Sequence, residues 1–224
     1  MKKILIIFLF SPIYIMSQLP KEFVYLNEAI PSLTIEIRYA TSNNFMGAPI
    51  KGYKSSDKAV GTIQLANALK KAEKIFNSYG LGIKIYDSYR PQRAVDDFIR
   101  WSKVRWDTIN KASYYPNLNK NILFDLGFIA KKSGHSRGST IDLTLIYIDG
   151  ENKGMEIDMG GNWDYFGDLS YYNYSQITKK QKQNRKLLRE TLINCGFIPY
   201  DKEWWHFTLK KEPFPNTYFD FIIN

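Results

Sequence analysis

Ser133-Gly134-His135-Ser136-Arg137-Gly138-Ser139-Thr140-Ile141-Asp142-Leu143-Thr144-Leu145-Ile146-Tyr147 changes character halfway along. Up to Ser139 the residues are mostly small and polar around one histidine, the composition of a loop. From Thr140 onward apolar and polar residues alternate: Ile141, Leu143, Leu145 and Tyr147 point one way, and Thr140, Asp142 and Thr144 the other. The spacing predicts a strand over residues 140–148 with Asp142 facing away from the apolar side. A loop histidine and a carboxylate seven residues later can then converge on one point.

Working outward, Leu65, Ala68, Leu69, Ala72, Phe76 and Tyr79 recur at spacings of three and four. That predicts a helix packed on a core, with Ser55, Ser56 and Asp57 offering N-caps and Gly80 closing it. Residues 82–87 read as a short strand carrying Ile83 and Ile85, followed by Ser88, Tyr89 and Arg90. Pro91 suits the first turn of another helix, where a missing N–H is harmless, and that helix runs to about Trp106 with Ala94, Phe98 and Trp101 on one side. Residues 111–121 read as a loop, and residues 150–170, rich in Gly, Asp and Asn, as an ordered excursion. Leu187, Leu188, Thr191, Leu192 and Cys195 mark a helix ending near Gly196, with Cys195 in the core, before strands at residues 197–200 and 204–209. Helices early and late around scattered strands, with no βαβ rhythm, predict an α+β fold: a mainly antiparallel sheet flanked by helices.

A chain of 224 residues can bury a sizeable core in one domain. With 44% hydrophobic, 16% aromatic and 24% charged residues, disorder, collagen and a coiled coil are excluded. The single cysteine, Cys195, excludes a disulfide framework and a zinc site built mainly from thiolates. Met1-Lys2-Lys3, an apolar run to Met16 interrupted by Ser11 and Pro12, and then Ser17 read as a secretory signal peptide, too short to span a bilayer. Residues 1–17 are thus expected to direct export to the periplasm or the extracellular space, leaving residues 18–224 as a single domain. The net charge of +9 becomes +7 without Lys2 and Lys3, a surplus that either solvates the surface or draws the protein to anionic envelope polymers. The densest basic segment, residues 179–189, lies on a helix whose other face is apolar, so it reads as a solvated face and nucleic acid is not expected as a partner.

Only two histidines exist, His135 and His206, so any histidine chemistry uses one or both. His206 ends the run Glu203-Trp204-Trp205-His206, whose bulky members would hold an imidazole rigidly. Two neutral imidazoles and the Asp142 carboxylate would give zinc three ligands and leave its fourth position open, as catalytic sites require. Taken alone, the residues also allow two unrelated, hydrogen-bonded histidines 71 positions apart.

The segment from Ser133 to Asp142 resembles the Ser-x-His-x-x-Gly-x-Ala-x-Asp signature of the D-Ala-D-Ala metallopeptidases, and Glu203 to His206 resembles their Glu-x-x-His motif. Within that hedgehog-like superfamily the likeness is to the VanX-type D-alanyl-D-alanine dipeptidases. It extends over Arg38-Tyr39-Ala40-Thr41-Ser42-Asn43-Asn44-Phe45-Met46-Gly47, Asp87-Ser88-Tyr89-Arg90-Pro91-Gln92-Arg93-Ala94, Ser113-Tyr114-Tyr115-Pro116-Asn117 and residues 212–221. The resemblance implies one Zn²⁺ per subunit on His135, Asp142 and His206, Glu203 as general base and acid, and Arg90 stabilising the transition state. Asp87, three residues before Arg90, could orient its guanidinium. It further implies that Asp164, with Tyr39, takes the free ammonium of a D-Ala-D-Ala substrate, that Ser133 lies near that substrate, and that the fold is hedgehog/DD-peptidase-like. Because Glu203 and His206 would face opposite sides of an ideal strand, Glu203 is expected at the strand's edge or at an irregularity. Thr140 stands where the signature has Ala, and Gly134 where close relatives have Ser, departures that bear on substrate fit; Arg137 either serves the site or braces the loop. The implied activity is hydrolysis of D-Ala-D-Ala in peptidoglycan turnover. The alternatives are a D,D-carboxypeptidase or murein peptidase acting on longer stems, and a non-catalytic zinc-bound cell-wall binding module.

Overall fold

In the computed structural model, which describes residues 19–223, the alternating segment forms the middle strand of a five-stranded sheet. In chain order the elements are β1 (Phe23–Tyr25), α1 (Leu26–Ala29), β2 (Thr34–Ile35), β3 (Val60–Thr62), α2 (Ile63–Asn77), β4 (Leu81–Asp87), α3 (Gln92–Ser102), α4 (Lys111–Tyr114), β5 (Thr140–Tyr147), α5 (Lys179–Asn194), β6 (Phe197–Tyr200) and β7 (Glu203–Leu209). The main sheet has the order β2-β4-β5-β7-β6, parallel only at the short edge pair of β2 and β4 and antiparallel elsewhere. A two-stranded antiparallel sheet of β1 and β3 stands beside it. The mixed architecture and the dominance of antiparallel pairing agree with the sequence expectation. The signal-peptide reading of residues 1–17 lies outside the described residues. Among the described residues no helix is long and apolar enough to cross a membrane.

Several local expectations are corrected. Helix α2 begins after Thr62, whose side chain accepts from the Leu65 N–H, and not at residues 55–57; a β-bridged segment, β3, separates the two. Helix α3 stops at Ser102, leaving Trp106 exposed, and Pro91 serves as its N-cap. The 111–121 stretch holds α4 and the start of a 3₁₀ turn, Lys120–Ile122. Cys195 caps α5 and is half-buried, packed against the core and not within it.

The basic stretch on α5 is also not uniformly solvated. Arg185 is 1% exposed and donates to the carbonyls of Met159, Leu169 and Tyr171 at 2.6, 2.9 and 2.7 Å. Helix α5 itself starts with a reciprocal capping box between Thr178 and Gln181, which fixes where it begins. Arg185 therefore ties a well-anchored helix to the excursion over residues 159–171.

β5 is buried on both faces. Ile141, Leu143 and Leu145 enter the core as the alternation demands, but Thr140, Asp142 and Thr144 are also at most 2% exposed. Thr140 pairs with Thr208 and the Thr144 hydroxyl has no hydrogen-bond partner among the described residues, but the buried Asp142 carboxylate needs partners, and those partners form the site.

Candidate active site

Sheet register assembles the first part of the site. Asp142 on β5 is paired with Asp87 on β4 and with His206 on β7, so three polar residues from adjacent strands stand in one row. A register shift between Ile85 and Asp87 ends the regular pairing of β4, and the chain then delivers Ser88 and Arg90 beside that row. His135 arrives from the 3₁₀ turn Gly134–Arg137, whose N-cap, Ser133, accepts the His135 backbone N–H at 3.2 Å. Gly138 reverses the chain at φ 81°, a conformation that suits glycine, and leads directly into β5.

The tautomer of His135 follows from its neighbour. Its Nδ1 lies 2.7 Å from the Ser88 carbonyl oxygen, which can only accept, so Nδ1 carries the proton and Nε2 presents a lone pair. That Nε2 is 3.3 Å from His206 Nδ1 and 3.3 Å from Asp142 Oδ1, while His206 Nδ1 is 3.0 Å from Asp142 Oδ1. Tetrahedral zinc with ligand arms of about 2.0–2.1 Å places its donors about 3.3 Å apart. The triangle matches that spacing, and three converging electron-pair donors are a set that a cation satisfies and no single proton can. The electrostatics agree. Burial tends to raise the Asp142 carboxyl, but the adjacent imidazoles outweigh it and hold the group well below the usual carboxylate range. Burial pushes His206 down, favouring the neutral imidazole that ligation needs.

Glu203 and Arg90 flank the triad. Glu203 is the first residue of β7, opposite Tyr200, where the β6–β7 pairing shifts register; its Oε2 lies 3.4 Å from His206 Nδ1. The irregularity expected from the sequence is present, and it brings Glu203 to the side of the sheet that carries His206. Burial, reinforced by the charges of Asp142 and Asp164, raises the Glu203 carboxyl well above the ordinary range. Arg90 donates through Nε to Asp87 Oδ2 at 2.8 Å, and Tyr53 donates to the other oxygen of Asp87 at 2.8 Å. The Arg90 guanidinium lies over the rings of Tyr39 and Phe98, 4.9 and 5.2 Å from their centroids, so its plane is held by packing as well as by charge.

Across the cavity, Asp164 accepts from the Tyr39 hydroxyl at 2.6 Å. Burial pushes its carboxyl up to about 8, against the lowering effect of that hydrogen bond. Among the described residues Asp164 alone is a non-glycine with positive φ, 61°. Strain of this kind is stored where a side chain must be aimed. All the residues to which the resemblance assigns a role line one cavity of about 190 Å³: His135, Asp142, His206, Glu203, Arg90, Asp164, Tyr39 and Ser133. Phe45, Phe98, Phe128 and Phe166 supply its apolar wall. Drug-sized ligands occupy about 300–1,000 Å³, so this cavity suits something smaller. Arg137 instead forms a two-pronged pair with Glu212 at 2.8 and 2.7 Å and braces the His135 loop against the C-terminal segment.

Three contributors escaped sequence reading. The Ser88 carbonyl that sets the His135 tautomer is a backbone group with no sequence signature. Trp163, the residue before Asp164, carries no pattern that would single it out. Arg185 did carry a signal: it precedes Leu188 by three and Leu192 by seven, which puts it on the apolar stripe of α5.

The model of the family described as D-ala-D-ala dipeptidase, Peptidase_M15, matches residues 20–224. The D-alanyl-D-alanine dipeptidase of Streptomyces coelicolor is 42% identical over 202 residues, covering 90% of this chain and 98% of that protein. The enzyme of the same name from Enterococcus faecium is 40% identical over 201 residues with the same coverage. Among solved structures, VanYB in complex with D-Alanine-D-Alanine covers 70% of this chain and 75% of that chain at 15% identity, with a TM-score of 0.41, too remote to bear on residue roles. With nearly the full length of its relatives matched, the chain belongs to the Peptidase_M15 family of D-Ala-D-Ala dipeptidases.

Proposed function

We propose that the protein hydrolyses D-alanyl-D-alanine to two molecules of D-alanine, with one Zn²⁺ on His135, Asp142 and His206. The observation that carries this reading is a buried, raised-pKa carboxylate, Asp164, facing the same small cavity as three converging metal donors. Zn²⁺ held there supplies Lewis acidity, polarising a carbonyl and making water a stronger acid. Glu203 takes a proton from the attacking water as the new C–O bond forms. It then passes that proton to the departing amine nitrogen as the C–N bond breaks, so water is consumed and nothing else is gained or lost. Arg90 offers a fixed positive charge to the oxyanion of the tetrahedral stage, a contribution typically worth about a hundredfold or more in rate. Asp164 pairs with the substrate's free ammonium while the Tyr39 hydroxyl holds the carboxylate in place, and Ser133 lies at the cavity wall within reach of a bound dipeptide.

The small cavity favours a dipeptide over a longer stem: an ammonium draws the proton off Asp164 and pairs with the resulting carboxylate, whereas an acylated substrate nitrogen carries no charge to offset that ionisation. Purified protein with Zn²⁺ is expected to release D-Ala from D-Ala-D-Ala but not from N-acetyl-D-Ala-D-Ala or a pentapeptide stem. Equal cleavage of all three would reject the dipeptidase reading in favour of a D,D-carboxypeptidase. Glu203→Ala is expected to abolish turnover and spare zinc content; loss of the metal would show that its assigned role is wrong. The proposal includes export, supported by the basic start and apolar run of residues 1–17, and so a part in recovering alanine from peptidoglycan outside the cytoplasm. Fusing residues 1–30 to a reporter active only outside the cytoplasm tests this, and a silent reporter sinks it.

A further inference from the structure

Asp142 shows its two oxygens to different neighbours. Oδ1 faces both imidazoles, at 3.3 and 3.0 Å. Oδ2 turns the other way, where the Trp163 indole N–H donates to it at 3.4 Å and Arg90 Nη2 stands 3.8 Å off. Four tryptophans are buried: Trp101, Trp163, Trp204 and Trp205. Three of them leave the indole N–H without a protein partner, and Trp163 alone donates, to a carboxylate of the triad.

The indole has little freedom to do otherwise. Trp163 is 1% exposed, with ring centroids 5.0 Å from Tyr39 and 5.4 Å from Tyr86, and the Arg38 guanidinium 5.7 Å from its ring. A ring wedged in this way directs its N–H along one line. A carboxylate without such a donor can turn about its last torsion and bring either oxygen, or both, toward the imidazoles. The donor at Oδ2 removes that choice.

We propose that Trp163 is a positioning residue for the metal site, fixing the Asp142 carboxylate so that a single oxygen is presented to the ion. The inference rests on the reading of His135, Asp142 and His206 as a zinc site. It also gives the strained backbone at Asp164 a purpose. The positive φ lets consecutive side chains diverge, Trp163 bracing the metal ligand while Asp164 reaches the cavity, so one loop serves both halves of the site.

The test is Trp163→Phe, which keeps an aromatic ring against Tyr39 and Tyr86 and removes only the donor, with Trp163→Met as a second donor-free variant should the first not fold. Zinc affinity is measured by competition with a chromophoric chelator, alongside circular dichroism and thermal melting of the metal-free protein. Loss of an outer hydrogen bond of this type typically weakens metal binding about 10–100-fold, and that loss is expected with an unchanged fold. Dipeptidase activity should return toward wild type as Zn²⁺ is raised past the new dissociation constant, which a merely loosened structure would not show. A folded variant with wild-type zinc affinity overturns the role of Trp163. Wild-type protein that takes up no zinc overturns the metal reading itself, and this inference with it.

Discussion

An ideal Cβ on Gly134 would lie 2.7 Å from Thr140 Oγ1, so the two positions compete for one volume. Thr140 is fully buried and its hydroxyl shares a hydrogen bond with Thr208 at 2.9 Å on the neighbouring strand; it does not line the cavity. Thr140, where the superfamily signature has Ala, and Gly134, where close relatives have Ser, are therefore a single exchange of volume beside the His135 loop. Gly134 does line the cavity, beside Ser133 and His135, so the expectation that these departures bear on substrate fit is corrected for Thr140 alone.

Gly134→Ser alone is expected to destabilise the protein by about 1–3 kcal/mol, the usual cost of overpacking. Thr140→Ala alone loses a buried hydrogen bond and leaves a small void. The double substitution should recover much of the combined loss, giving a coupling of about 1 kcal/mol in a denaturation cycle. Strictly additive losses would show that the two sites do not share space.

Asp164 gives a pH dependence whose sign can be stated. With its carboxyl raised from 3.8 to about 8, the native state holds a proton that the unfolded chain has released. Stability from this group is thus lost as pH rises between about 4 and about 8. Asp164→Asn removes the effect, keeps an acceptor for Tyr39, and suits a left-handed backbone. The variant should melt higher than wild type at pH 8 and no differently at pH 4, while losing about a hundredfold or more in kcat/KM for the dipeptide. A variant that melts lower at pH 8 would contradict the burial cost assigned to Asp164.

What the sequence made legible was periodic or dense in chemistry. The alternation around Asp142 marked β5, and two histidines in so long a chain left little choice of imidazole ligands. What it concealed was short or depended on distant partners. β1, β2 and β3 hold three, two and three residues, too few for a period to show. The burial of Asp142 had no local signal, because nothing near it in the sequence announces that Trp163 packs against it. Arg185 looked solvated because it lies within a lysine-rich run, although its place on the apolar stripe told otherwise.

Arg185 satisfies three carbonyls of the segment that carries Trp163 and Asp164, and burial lowers its pKa to about 10. Lysine has the charge but not the planar fork, so Arg185→Lys leaves carbonyls unserved. The expected result is faster proteolytic cutting within residues 159–171 and a raised KM, with a smaller effect on kcat, since the ammonium carboxylate lies in the loosened segment. Unchanged cutting and KM would show that the loop holds its place without this anchor.

The contacts of Arg90 hold its guanidinium in one place. Asp87 accepts from its Nε and lies 2.8 Å from its Nη2, while Tyr39 and Phe98, neighbours with ring centroids 5.2 Å apart, pack together against the guanidinium. An ammonium at this place can meet Asp87 but cannot cover the two rings as the guanidinium does or present two donors in fixed directions. Arg90→Lys is therefore expected to lower kcat and kcat/KM together by about a hundredfold or more, with KM and zinc content near wild type. Asp87→Asn should lower kcat in the same direction and by less, since the guanidinium keeps its aromatic packing and loses only its charged tether. If Arg90→Lys instead raises KM and leaves kcat alone, Arg90 binds the ground-state dipeptide, and the oxyanion must be met by another group.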